Sequence, residues 1–509
     1  MPTGPRLGAL LAPVEAAAVP DEQLLELLSA QWRQLAYQQA RVWAVMAELA
    51  TRNPMLGVPD GPVWSPDQVF DSAVDEVRAE LRLTRRAAQR ELEHADAVCA
   101  LPPVAAALEA GLIDRAKAIV LADGCADLTG EQAARLLAEV LPAAGRVTAT
   151  GLAERVRRVA IALDPEWAER RYRQALSERR VIGYLNEDGS ATVSGQHLPA
   201  DQAAAALARV NALADAAKRA GAAGRIDHLR AELFLGLLDG QFETMTAAQI
   251  VEDIVARFAA TQRETEPAVG RTGRGTGVEL RVGLGTLLGL DDQPGEVAGW
   301  GPVPASVARD LAATQRRSEW RFAIVDEQGR LSFDGTTRHR PTGPRNGPAE
   351  KRGGIVELQV PVNLLGDAAL AREHPAWAGL LSDLAAQYAK RAPIEQDPAA
   401  RFPGRRLRRR SQIRHRTCLF PGCRRPAANC DQDHRQDHAR GGPTTEHNLG
   451  PGCRHDHDLK TTGGWRLIEG NGTTFIWISP LGRRHTTTID PVAPPLPEPV
   501  PRRPRPPPG

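Results

Sequence analysis

The sequence predicts three regions in series: a mainly α N-terminal domain, a small α+β middle region and a small metal-stapled C-terminal module. Three observations predict them. Helical hydrophobic spacing runs through most of the first half. Two similar strand-like segments recur at 278–289 and 356–366. Four of the six cysteines and five of the twelve histidines crowd into residues 418–460.

A chain of 509 residues is long enough for about three domains of ~150 residues, and 42% apolar residues supply ordinary cores. The formal charge of +2 is unevenly spread: residues 401–509 carry 20 Lys+Arg against 9 Asp+Glu, residues 1–400 carry 44 against 53. The basic end is the natural candidate for a polyanion partner. No apolar run reaches the ~18 residues of a membrane span, so no membrane partner is expected. Cys99 and Cys125 sit in helical context and read as plain buried thiols. The other four cysteines have metal-ligand spacing, which suits a reducing cytoplasm, the expected location.

Residues 1–20 loosely resemble a signal peptide, but Pro13 and Glu15 interrupt the apolar part, and the segment is expected to be a disordered leader. Residues 21–50 place Leu25, Leu28, Trp32, Leu35, Val42, Met46 and Leu49 at 3-4 spacing, broken only by Gln39. This reads as a long helix packed on its own domain, because the pattern spans under four heptads. A coiled-coil seam, making a homodimer through the helical domain, is the alternative. Helices continue over 65–163, with Thr129 ahead of Glu131-Gln132 as an N-cap, and LDPEW at 163–167 opens another. RRVIGYLNEDGSATVSGQ at 179–196 alternates around Asn186–Gly189, a β-hairpin pattern. Two further helices are expected across 199–262, completing a helical domain over 21–262.

RETEPAVGRTGRGT marks a linker at 263–277. The α+β region, 278–400, holds VELRVGLGTLLG and, 78 residues later, VELQVPVNLLG. Each reads as a strand leading to a Leu-Leu-Gly turn and then a helix, giving two similar units in one sheet. Residues 401–416 carry eight arginines in sixteen, and Arg405, Arg406, Arg408, Arg409 and Arg410 are the candidate phosphate contacts. The metal module spans 417–490. Its end alternates around Asn471-Gly472 as a hairpin, with Trp465 and Trp477 in packing roles. Ten prolines in the last nineteen residues predict an extended, disordered tail at 491–509.

Cys418 and Cys423 flank Pro421-Gly422, a turn that can bring two thiolates onto one ion. Cys453 lies 30 residues beyond Cys423 and offers a third ligand, with the fourth expected two or three residues later. Between these half-sites, CDQDH (430–434) suits a strand. A neutral His434 can take a proton from water near pH 7. Asp433 offers a hard oxygen ligand for a divalent cation. Asn448 can fix the loop or orient His434, and His457 can point back at the metal from the start of a helix. An activated water and a cation are the parts that phosphodiester hydrolysis needs.

Residues 418–460 resemble the HNH (ββα-metal) endonuclease motif in its cysteine-flanked form. Asp433-His434 is similar to its D-H element, Asn448 to the central Asn and His457 to the final His. CLFPGC, CDQDH, GGPT, NL and LKTTGGW resemble the C-terminal module of a large actinobacterial group in which that module follows a helical domain of unknown function numbered 222. LLGLDDQPGEVAGWGPVP (287–304) and VSGQHLPADQ (193–202) resemble that helical domain, so the likeness spans about residues 25–485. It implies a DNA endonuclease using Mg2+ or Mn2+, with His434 as general base, Asp433 and His457 as ligands of the catalytic cation, and a structural Zn2+. In the group the third zinc cysteine is followed by C-x-x-H-H or C-x-x-C-H; here the run is Cys453-Arg454-His455-Asp456-His457, so the usual zinc position holds Asp456. Asp456 could coordinate through oxygen, His455 could swing in, or Cys430 could substitute. The alternative reading is a noncatalytic zinc-dependent nucleic-acid-binding protein.

Overall fold

The computed structural model describes residues 1–55, 63–261, 277–342, 353–394, 396–469 and 473–493. The expected linker save Gly277, the tail beyond Ala493 and the Asn471-Gly472 turn lie outside the described residues. Among the described residues no helix is long and apolar enough to cross a membrane. The chain divides into two compact units. The first comprises Met1–Glu178, Phe420–Arg424 and His455–Thr487; the second comprises Arg179–Leu419, Arg425–Arg454 and Thr488–Gly509.

Among the described residues the first unit opens with nine α-helices: α1 (Pro5–Leu11), α2 (Asp21–Thr51), α3 (Pro66–Leu81), α4 (Arg85–Cys99), α5 (Pro102–Glu109), α6 (Arg115–Cys125), α7 (Gly130–Ala144), α8 (Ala149–Leu163) and α9 (Trp167–Ser177). Side chains set many of the starts. Ser65 with Gln68, and Thr129 with Gln132, form capping boxes, and Thr84, Asp114 and Thr148 accept from the first-turn backbone. The shared core includes Trp43, Leu92, Leu121, Leu136 and Leu152. Burial pushes the Cys125 thiol up to about 11, as expected of an inert core cysteine.

Two expectations change here. The segment expected to be a disordered leader carries α1, docked by Gly4 N–H donating to Gln34 Oε1 (3.0 Å) and Thr3 Oγ1 donating to the Glu109 carbonyl (2.7 Å). The α2 stripe expected to pack inward is largely exposed: Leu25, Leu28, Trp32, Leu35 and Val42 face outward, while Ala36, Trp43, Met46 and Ala50 enter the core. Small alanines beside one indole let α3, α4 and α5 approach that side of α2 closely.

The same unit takes in α18 (Arg454–Thr461) from His455 onward and a three-stranded sheet, β11 (Arg466–Glu469), β12 (Thr474–Ile478) and β13 (Arg484–Thr488), in that order. Trp465 and Trp477 are buried, with ring centroids 4.9 and 5.0 Å from Phe420, so they pack.

In the second unit, β1 (Arg180–Leu185) and β2 (Ala191–Gln196) form the expected hairpin. Three helices follow where two were expected: α10 (Ala200–Arg219), α11 (Ile226–Leu238) and α12 (Ala247–Thr261), around Leu213, Leu229, Leu233 and Ile254. The break falls at Asp239-Gly240, where Gly240 takes a positive φ of 79° that ends α11.

A six-stranded sheet follows. Its strands are β3 (Glu279–Gly283), β4 (Gly295–Val297), β5 (Gly301–Val303), β6 (Glu319–Val325), β7 (Leu331–Thr337) and β8 (Ile355–Pro361), ordered β5-β4-β3-β8-β6-β7. The two repeated segments are the adjacent parallel strands β3 and β8, with Leu280 opposite Val356. Their Leu-Leu-Gly turns end on Gly289 and Gly366, at φ 75° and 84°, a conformation that costs glycine nothing. Helices α13 (Leu284–Leu288), α14 (Ala305–Thr314), α15 (Ala368–Glu373) and α16 (Ala378–Ala389) accompany the sheet. The arginine-rich stretch forms α17 (Arg405–His415), whose Ile413 packs on Ala323 and Val325 of β6. The antiparallel pair β9 (Asp431–His434) and β10 (Leu449–Gly452) comes next, and α18 follows it in the chain.

Candidate metal centre and histidine hairpin

The CLFPGC loop turns at Gly422 (φ 74°), and the Cys418 N–H donates to the Arg425 carbonyl at 3.0 Å, closing a knuckle. Cys418, Cys423, Cys453 and Asp456 come together with one ligand atom from each within 4.8 Å of all the others. Four ligands around one zinc ion stand roughly 3–4 Å apart, so a small contraction suffices and the donor set fits a metal ion. The Cys453 N–H points at Cys418 Sγ (3.3 Å), a contact that favours a thiolate there. Among the described residues this is the one group of three or more such side chains with metal-binding geometry. Cys430 stands outside it, with Sγ donating to the Pro426 carbonyl at 3.4 Å. His455 is also engaged elsewhere, its Nε2 3.1 Å from both carboxylate oxygens of Asp75.

His434 ends β9, 9% exposed, opposite Leu449. Its Nε2 lies 2.7 Å from Thr444 Oγ1, and that hydroxyl donates its one proton to the Ala400 carbonyl. With its proton given to that carbonyl, Thr444 accepts from His434, an assignment that puts the ring proton of a neutral imidazole on Nε2. Thr444 belongs to the GGPT segment and is a site residue that sequence reasoning missed.

Asn448 fastens the intervening loop. Its amide nitrogen donates to the Gln436 and Pro443 carbonyls (3.0 and 2.9 Å), and its oxygen accepts from the Gln436 N–H (2.9 Å). It fixes the loop rather than the imidazole. Gly441 has φ 82°, and a Cβ on Gly442 would sit 1.8 Å from the Gln436 carbonyl oxygen, so both positions need glycine. Asp433 lies one residue before His434 on β9, opposite Gly450, and His457 lies on the first turn of α18.

The candidate phosphate-binding arginines fall into two groups. Arg405, Arg406 and Arg408 are exposed on α17. Arg409 and Arg410 are half-buried and pair with Asp334 (both 3.2 Å), and Arg410 also pairs with Glu446 (2.8 Å). Those two anchor the helix to β7 and the loop before Asn448.

Residues 29–342, from α2 to beyond β7, match the family model described as Domain of unknown function (DUF222). The chain belongs to this family. The DUF222 match ends before the cysteine–histidine segment. Among relatives, the uncharacterized protein Rv3776 of Mycobacterium tuberculosis is 26% identical over 499 residues, 95% of this chain and 82% of that protein. The uncharacterized proteins MT2160 and Rv2100, also from M. tuberculosis, are each 42% identical over 86 residues, 17% of this chain and 16% of theirs. No solved structure matches this DUF222 chain.

Proposed function

We propose that this DUF222 protein is a metal-dependent HNH-type endonuclease that hydrolyses DNA phosphodiester bonds. The observation that carries the reading is the His434–Thr444–Ala400 hydrogen-bond chain on a hairpin whose loop Asn448 fastens. It supplies a histidine of defined tautomer within a segment that also carries a metal-binding set.

In this reading His434 Nδ1 takes the proton from the attacking water, and Thr444 keeps the ring aimed. Asp433 and His457 would hold a hard divalent cation, Mg2+ or Mn2+, which when bound offsets charge on the phosphate and the leaving oxygen. Arg405, Arg406 and Arg408 would contact phosphates without reading bases. The ion held by Cys418, Cys423, Cys453 and Asp456 would be structural Zn2+.

The test is supercoiled plasmid with purified protein and Mg2+, Mn2+ or EDTA. Metal-dependent nicking is expected, falling ~10²–10⁴-fold in His434→Ala, the usual contribution of a general base. A variant that cuts at the parent rate removes the base assignment. Zinc-loaded protein that binds DNA and cuts with no metal points instead to a noncatalytic binding module.

A further inference from the structure

We propose that Arg78, on α3 of the DUF222 domain, is the positioning residue that holds Asp456 as the carboxylate ligand of the metal centre. This rests on the metal-centre reading above.

Structural zinc sites are usually built from cysteine alone or from cysteine and histidine together. Three thiolates and a carboxylate around Zn2+ carry a formal charge of −2, one more negative charge than three thiolates and a neutral imidazole. Buried negative charge needs a paired cation. Asp456 is fully buried, and the guanidinium of Arg78, 3% exposed, donates to its Oδ1.

That guanidinium is fixed from three sides. Its Nε lies 2.9 Å from Asp75 Oδ1, an NH2 group bonds Asp456, and its carbon sits 3.9 Å from the ring centroid of Phe420. Phe420 is in the CLFPGC loop, two residues after Cys418. A carboxylate has about four lone-pair sites, so one bond from Arg78 leaves capacity for a metal. Donation to one lone pair orients the rest, as outer partners do for other metal ligands. Asp75 also pairs with the His455 ring, next to Asp456, and so ties the first turn of α18 to α3. The acidic ligand is thus answered by an arginine 378 residues earlier in the chain.

The experiment uses the full chain as parent, Arg78→Met, Asp456→His and the double variant. It measures zinc affinity by chelator competition and the absorption spectrum of the Co2+-substituted protein. Arg78→Met should lose ~10–100-fold in zinc affinity, the usual effect of removing such a partner. Asp456→His should keep the metal and change the Co2+ spectrum, as an oxygen ligand becomes nitrogen. The double variant should match Asp456→His within a few-fold, because a neutral imidazole does not need the guanidinium. If Arg78→Met does not fold, the comparison of Asp456→His with the double variant still decides. Parent-like affinity in Arg78→Met overturns the role of Arg78, as does a tenfold or greater loss on adding Arg78→Met to Asp456→His. An unchanged Co2+ spectrum in Asp456→His overturns the ligand role of Asp456. A parent that binds no zinc overturns the metal centre itself, a separate failure.

Discussion

At the residue scale, the histidines divide by what surrounds them. His434 keeps a hydroxyl partner that fixes its tautomer. His415, at the end of α17, is held neutral: burial, with Arg414 and Arg435 beside it, pushes its pKa down to about 3. An unfolded histidine titrates near 6.5. The folded value is the lower one, so the unfolded chain binds more protons as pH falls. The stability from His415 is therefore full above pH ~6.5 and is lost on acidification towards pH ~3, by up to about 1.4 kcal/mol per pH unit. Urea unfolding at about pH 7 and pH 5 should show a larger acid-induced loss in the parent than in His415→Gln, by about 2 kcal/mol. Equal losses would remove His415 as the cause. The candidate residues His434 and Asn448 were legible in the sequence because their chemistry and their turn glycines lie within a few dozen residues. Arg78 and Asp75 were not, since nothing near α3 distinguishes two buried charges from a solvated helix face.

At the element scale, α2 separates periodicity from burial. Its 3-4 stripe is real as a pattern, yet Leu25 is 75% exposed and Leu28 59% exposed. The sequence cannot say which of two amphipathic faces meets the core. Here the alanine–tryptophan face does, because it admits α4 and α5 more closely. The outward side chains of Leu25, Leu28, Trp32, Leu35, Val42 and Val45 together offer on the order of several hundred Å2, approaching the ~800 Å2 per partner of a standard interface. Leu25, Leu28, Trp32, Leu35 and Val42 stand in heptad register with one polar core position, Gln39, as in a helix that pairs with its own kind, and Val45 flanks them. We expect a second copy of α2 to cover them. Light scattering on the full chain should show a concentration-dependent dimer, and Leu28→Glu with Leu35→Glu should give a monomer of unchanged helicity. A parent that stays monomeric at its highest soluble concentration removes the seam. In the nuclease reading, one His–Asn–His set per chain nicks, and the dimer brings two sets to one duplex. The β3–β8 repeat was easier to place, because similar strands with the same turn pair side by side without disturbing either face.

At the scale of the whole molecule, the first compact unit joins the N-terminal helices to Phe420–Arg424 and His455–Thr487. The joint runs through α3. Beyond Asp75 and Arg78, the buried Glu76 accepts from the Leu481 N–H at 3.2 Å, and Glu80 pairs with Arg483 at 2.6 Å. Burial raises the Glu76 pKa, with Ser479 and Leu481 opposing that shift as hydrogen-bond donors. No periodicity announces such a joint, since its partners are some four hundred residues apart and each is locally an ordinary charge. It has a consequence for metal removal. Stripping zinc leaves the thiolates and Asp456 to repel one another, and Asp456 is tied to α3 through Arg78. Loosening should therefore spread into α3 rather than stop at the knuckle. Hydrogen exchange with and without a strong chelator should show faster exchange in residues 420–424, 455–487 and 66–81. The α10–α12 bundle has its own core around Leu229 and Ile254 and should exchange at the parent rate. Protection lost at the knuckle but fully kept in α3 would mean that the helices and the metal centre fold independently, and that the buried charges of α3 serve packing alone.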